Sequence, residues 1–229
     1  MKTTPTHGFF VTGTDTGVGK TRVACALLHA FAARGLRVIG MKPVAAGATL
    51  TNGIWLNEDV AQLLFASNVS APREAVNPYC FEPPIAPHIA ASVVNKIINI
   101  NRLCDYYRHL SALANVVIVE GAGGFCVPLN DTETSADLAR ALALPVVLVV
   151  GMRLGCLNHA LLTAEAIRAR GLRLAGWVAN HVEASMPQAD ANVAALQARL
   201  DAPMLARLAF CAQPQAATIA AQFDVSALL

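Results

Sequence analysis

Gly13, Gly19, Lys20 and Thr21 stand close together in FFVTGTDTGVGKT, residues 9–21. A glycine-rich turn ending in Gly-Lys-Thr is built to hold phosphate. Backbone N–H groups point into the turn, the lysine meets the outer phosphates, and the hydroxyl reaches a Mg²⁺ ion. The usual spacing leaves four residues between the two glycines. Here residue 14 is Thr14, and five residues separate Gly13 from Gly19. Mg²⁺ with a nucleoside triphosphate also calls for carboxylates. Glu120 follows the β-branched run VVIV and precedes Gly121, Ala122, Gly123 and Gly124. An acid at a strand tip beside glycines suits a metal next to a phosphate. Asp59 falls in the first turn of an expected helix, a position that helix-dipole stabilisation alone also explains. Lys42 ends an apolar run and is followed by Pro43, which fixes the chain there. Two lysines facing one crevice stabilise a transferring phosphoryl group or an anionic substrate.

The elements that must position these residues read as alternating strands and helices. Strands are expected at residues 8–12, 36–44, 115–119, 145–150, 174–179 and 204–210. Helices are expected at 20–33, 57–66 with Asn57 as cap, 157–170 and 188–200. Residues 70–102 carry Pro72, Pro78, Pro83, Pro84 and Pro87, and read as loops and short helices. Strands with little polar alternation belong to a parallel sheet buried on both faces. The expected fold class is α/β, a single doubly wound domain over residues 1–229 with a mostly parallel central sheet flanked by helices. Ligands of such sheets bind at the carboxyl ends of the strands, where Thr21, Lys42 and Glu120 fall.

Composition removes other classes. Charged residues are only 14% and hydrophobic ones 55%, yet no apolar run reaches membrane-spanning length, and Pro145 interrupts the best one. No secretory signal is readable, so a cytoplasmic location is expected. Net charge is +2 with no basic run, which gives no reason to expect a nucleic-acid partner. The six cysteines form no Cys-x-x-Cys pair, and the histidines show no metal spacing. No Ser-His-Asp or Cys-His grouping points to covalent catalysis.

VTGTDTGVGKT, KPVAAG, NPYCFEPPIAPH, VEGAGG, LPVVLVVG, LGCLNHALLTAEAI and GWVANHV occur in this order. Together they resemble the dethiobiotin synthetase family over nearly the whole chain, most weakly after Val182. The resemblance implies a fold of the P-loop NTPase type and a phosphate loop with the same extra residue. It implies ATP and Mg²⁺ as cofactors, with Thr21, Asp59 and Glu120 holding the metal. Lys20 and the N–H groups of residues 16–22, including Gly17, Val18, Gly19 and Arg22, would bind the ATP phosphates. Gly121, Ala122 and Gly123 would border the nucleotide. Asn180 would read the adenine edge with His181 beside it, and the backbone of Ala209, Phe210 and Cys211 would flank the base.

The family reaction carboxylates 7,8-diaminononanoate with CO₂ and closes a cyclic urea through a carbamate and a carbamic–phosphoric anhydride. Lys42, Lys20 and Thr16 would be the catalytic side chains. Thr16, Lys42, Gly123 and the residue at 46 would face the substrate. Asn158 would reach it across the interface of a homodimer. Ala46 departs from the family, which commonly has Ser or Thr there; one lost hydrogen bond costs about 0.5–1.5 kcal/mol. Ala209 replaces a common proline, and Ala216 an acid. Partitioning-type switch ATPases share the expected fold, but they place a second lysine early in the loop, where this chain has Thr14 and Asp15. A nucleotide-binding paralogue with another ligand is the remaining alternative.

Overall fold

The computed structural model describes residues 7–212 and 215–228. Its elements run β1 (His7–Gly13), α1 (Lys20–Ala32), β2 (Val38–Met41), β3 (Val44–Ala46), β4 (Thr49–Thr51), β5 (Ile54–Leu56), α2 (Glu58–Ala66), α3 (Arg73–Val76) and β6 (Tyr79–Phe81). They continue as α4 (Pro87–Val93), α5 (Ile100–Leu113), β7 (Val116–Gly124), α6 (Ser135–Leu142), β8 (Val146–Met152), α7 (Cys156–Ala169), β9 (Leu174–His181), α8 (Ala189–Gln197), β10 (Met204–Leu208) and α9 (Ala216–Ile219). The main sheet has the order β10-β9-β8-β1-β7-β2, and every neighbouring pair is parallel. The expected parallel sheet between helical layers is present.

Side-chain parity shows why. In β1, Phe9 and Val11 pack on one face and Phe10 on the other. In β7, Val116 and Ile118 share the first face while Val117 and Val119 take the second. Both faces are apolar, so both are covered. Leu27, Leu28 and Phe31 of α1 cover the first face, with Phe31 stacked on Phe9 at 5.7 Å between ring centroids. Leu103 of α5, Leu138 of α6 and Ile167 of α7 cover the second.

The same parity aims the polar residues. Glu120 continues the alternation of Val116 and Ile118 and so turns to the α1 side. Lys42 continues that of Val38 and Gly40. Gly40 has no side chain because Leu63 and Leu28 occupy that space, 3.0 and 3.1 Å from where a Cβ would stand. Glu120 and Lys42 therefore meet on one face.

Several boundaries differ from expectation. The strand expected at 36–44 leaves the main sheet at Met41 and restarts as β3, which pairs with β6. Pro43 has no N–H to continue a ladder, and the Lys42 carbonyl accepts from Asn77 Nδ2 at 2.6 Å. The strand expected at 204–210 ends at Leu208, and the strand expected at 115–119 runs on to Gly124. Helix α5, capped by Asn99, and α6, with a Thr134–Asp137 capping box, were not expected. Neither was the β4–β5 hairpin, which turns through Asn52 and Gly53, both at positive φ. No helix among the described residues is long and apolar enough to cross a membrane.

Gly151 of β8 lies under the loop after β1. A Cβ there would stand 2.6 Å from Val18 Cγ1. Gly151→Ala is expected to lower the unfolding free energy by about 1–3 kcal/mol, as overpacking does. Urea denaturation measures it, and an unchanged midpoint would show that Val18 can move aside.

Candidate active site

The loop between β1 and α1 is pinned from below by an apolar residue. Val18 is buried. It sits over Gly13 and Gly151, where a Cβ would approach it to 2.5 and 2.6 Å. Asn180 Nδ2 holds the Val18 carbonyl at 2.8 Å. Gly17 and Gly19 turn through φ 75° and 90°, which glycine alone enters without penalty. At Gly19 a Cβ would also meet Asn180 Nδ2 at 2.4 Å. Upstream, Thr14 N donates to Val149 O at 3.0 Å, and Gly151 N donates to Thr14 Oγ1 at 3.3 Å. The Asp15 carboxylate accepts from Thr16 N at 2.7 Å and pairs with Arg153 at 2.6 Å. Lys20 Nζ donates to the Asp15 carbonyl at 2.9 Å. The loop thus closes around its own lysine.

Beside it lies a buried charge cluster. Lys42 Nζ donates to Glu120 Oε1 at 2.5 Å and to Asp59 Oδ2 at 2.9 Å. Thr21 Oγ1 donates to the same Glu120 oxygen at 2.8 Å. The Lys42 side chain is 5% exposed and that of Glu120 is 0%, against 41% for Asp59. Only Asp59 opens to solvent. Burial disfavours the Lys42 ammonium, but Glu120 and Asp59 together hold it above its ordinary pKa. Burial pushes Glu120 up against the pull of Lys42. Burial also works against the Asp59 carboxylate, yet the charge of Lys42 keeps it below its ordinary value. Lys20 falls to about 8, through burial and then repulsion from Lys42.

A cleft of about 630 Å³ opens above these groups. Thr16, Gly17, Gly19, Lys20, Thr21, Lys42, Ala46, Asp59, Glu120, Ala122 and Gly123 line it. Val18 is under the loop instead. Gly121 faces the Phe10 ring, 3.2 Å from where its Cβ would be. Ala46 presents only a methyl group, and its carbonyl accepts from Asn57 Nδ2 at 3.0 Å. Asn158 is exposed on α7, outside the cleft. Pro84, Ile85, Ala86, Pro87 and Val127 also line it and were not singled out from the sequence as site residues. Their only local signal is the proline cluster, which brings Pro84 Cβ to 3.3 Å from where a Gly47 Cβ would stand. His181, Ala209 and Phe210 line a second cleft, of about 520 Å³, with Glu183, Met186 and Arg207, which sequence reading missed. Asn180 is 3% exposed. Its amide is engaged at both ends, with Val18 O and with Arg22 Nη1 at 3.3 Å. Cys211 is exposed beyond the second cleft.

The donor set fits a hard cation. Glu120 Oε2 is buried without a partner among the described residues. Asp59 and the Thr21 hydroxyl stand beside it, and all three groups offer oxygen, as Mg²⁺ prefers.

The AAA domain family matches residues 7–218. An ATP-dependent dethiobiotin synthetase BioD of Nitrosospira multiformis is 55% identical over 96% of this chain and 95% of its own length. That of Aromatoleum aromaticum is 54% identical over 95% and 97%. Among solved structures, the septum site-determining protein MinD of Pyrococcus horikoshii, complexed with Mg-ADP, superposes with a TM-score of 0.53 at 18% identity, covering 89% of this chain and 81% of that one. A ParA family ATPase of Chlorobium tepidum gives 0.55 at 14%, covering 91% and 86%. These two likenesses show the fold alone.

Because Lys20 titrates near 8 in the free site, a bound polyphosphate must hold it charged. Above pH 8 and below the lysine's ordinary 10.5, binding is expected to take up a proton; well below 8 it takes up none at this group. The buffer dependence of the calorimetric binding enthalpy measures this. Equal enthalpies in all buffers at pH 8.5 would contradict a depressed Lys20.

Proposed function

The chain belongs to the ATP-dependent dethiobiotin synthetase family, and from that membership we propose what its own side chains contribute to the reaction. It is an ATP-dependent ligase of biotin biosynthesis that acts on small molecules. The observation that carries the assignment of roles is the buried Lys42 between Glu120 and Asp59, opening on the cleft that Lys20 and Thr16 also line.

Lys20 and the N–H groups around Gly17 and Gly19 hold the phosphates of ATP. Lys42 has three N–H donors and spends two on Glu120 and Asp59. The third is free for an oxygen on the cleft side. There it holds the substrate carbamate, formed when one amine of diaminononanoate adds to CO₂ and loses a proton. The carbamate oxygen attacks the γ-phosphorus and ADP leaves. The second amine attacks the carbonyl carbon of the mixed anhydride, phosphate leaves, and a proton is lost as the urea closes. Thr16 Oγ1 lies close to Gly123, 3.5 Å from where a Cβ would stand, so hydroxyl and backbone grip the carbamate from one side. The protein supplies position and charge, which suffice for phosphoryl transfer.

Thr21, Asp59 and Glu120 would hold Mg²⁺, which when bound neutralises charge on the phosphates. We assign Asn158 to the site of a partner subunit in a homodimer. In support, Asn158 is exposed outside its own cleft, four positions after Leu154, which is 98% exposed.

The test is ATP-dependent incorporation of labelled bicarbonate into a cyclic urea from diaminononanoate. Label in the urea is expected. Its absence from folded, ATP-binding protein would refute the reaction. Lys42→Ala should lower kcat by about 10²–10³, the scale of a lost electrostatic contact in the transition state. Unchanged turnover would remove Lys42 from the mechanism. Ala46→Ser should lower KM for the diamine by about two- to tenfold, the equivalent of one hydrogen bond.

A further inference from the structure

Asp15 carries the wrong charge for its place. It sits inside the turn between β1 and α1, where a polyphosphate is to bind, and a carboxylate there repels phosphate. The residue does hold the turn together. Its Oδ1 accepts from Thr16 N at 2.7 Å, and its carbonyl accepts from Lys20 Nζ at 2.9 Å. Asparagine would offer Thr16 N the same kind of acceptor without the charge. The negative charge therefore has to be answered from elsewhere.

Arg153 answers it. Its Nη2 donates to Asp15 Oδ2 at 2.6 Å. Among the described residues no other cation pairs with this carboxylate, since Lys20 bonds only the carbonyl. Arg153 comes from a different part of the chain, 138 positions on. It lies between β8 and α7, and its own carbonyl accepts from Cys156 N at 3.0 Å where α7 begins. The two side chains are 39% and 48% exposed. An ion pair this open adds little to stability, so its value lies in what it does to the field over the loop. Neither residue lines the cleft, which places the pair beside the phosphates and not against the reacting atoms. We propose that Arg153 is a positioning residue for ATP binding that acts through Asp15: it fixes and neutralises the carboxylate, so that the loop keeps this acceptor without repelling the polyphosphate. This rests on the reading that the loop binds ATP.

The experiment is calorimetric titration of the full chain with the Mg²⁺ complex of ATP. Four proteins are compared: the unaltered one, Arg153→Gln, Asp15→Asn and the double variant. Arg153→Gln should bind about three- to tenfold more weakly than the unaltered protein, the scale of a like charge left unscreened near the surface. In the Asp15→Asn background the same change should cost less than about twofold, because the charge it answers is gone. Raising KCl from about 0.1 to about 1 M shortens the screening length from about 10 to about 3 Å. The affinity ratio of the unaltered protein to Arg153→Gln should then fall towards one, and this arm needs no substitution inside the loop. Equal affinity of Arg153→Gln and the unaltered protein overturns the proposal. So does an equal loss with and without the Asp15 charge, which would mean that Arg153 touches the nucleotide or that its removal disturbs the loop generally. A ratio unchanged by salt overturns it as well. Failure of the unaltered protein to bind ATP would instead overturn the ATP reading itself.

Discussion

A lysine ammonium buried between two carboxylates is the constraint on which this site depends. An unpaired charge in the interior costs several kcal/mol, and two neighbouring carboxylates repel each other. Lys42 can be buried only because Glu120 and Asp59 stand at 2.5 and 2.9 Å from it. Glu120 can be buried only because Lys42 and Thr21 share its Oε1. The cluster ties β2, β7, α1 and α2 together at one end of the sheet. It also leaves one carboxylate oxygen, Glu120 Oε2, buried without a partner among the described residues. Asp59, with its side chain 41% exposed, is the member open to solvent.

The phosphate loop obeys a different constraint, one of packing. Its extra residue relative to the common spacing is accommodated because Val18 drops into the space left by Gly13 and Gly151. The hydrogen bond from Asn180 then fixes the Val18 carbonyl. Phosphate-binding N–H groups are useful only if they do not reorganise on binding. An apolar plug below and an amide clamp at the side provide that rigidity. Gly19 cannot gain a side chain without striking the clamp. Asp15, held by Arg153, closes the upstream half of the loop.

The parts that were legible in the sequence share a cause. The runs VVIV and PVVLVV have no polar alternation, so they had to be strands covered on both sides. Gly19-Lys20-Thr21 read as a turn between a strand and a helix, and they stand where β1 gives way to α1, at the cleft. Glu120 and Lys42 stood at strand ends, where ligands of parallel sheets bind. The misses also share a cause. Helix α5 has a large exposed face and follows a proline-rich stretch, so its three buried residues, Ile100, Leu103 and Leu110, left a weak signal. The break at Lys42–Pro43 depends on Asn77, 35 positions away. The walls Pro84 to Pro87 and Val127 reach the cleft only through the return of distant loops.

The sequence by itself determined the kind of chemistry. Residue types and local spacing settle which groups can bind phosphate, carry charge and turn the chain, because these are properties of a few consecutive residues. Tertiary structure decided which of those groups meet. It turned Glu120 and Lys42 onto the same face through strand parity. It made Asp59 a partner of Lys42 and not merely a helix-end charge. It committed Asn180 to the loop and to Arg22. Each of these pairings joins residues from 17 to 162 positions apart. No local pattern encodes them, because the energy that sets them is burial of the whole sheet between its helices.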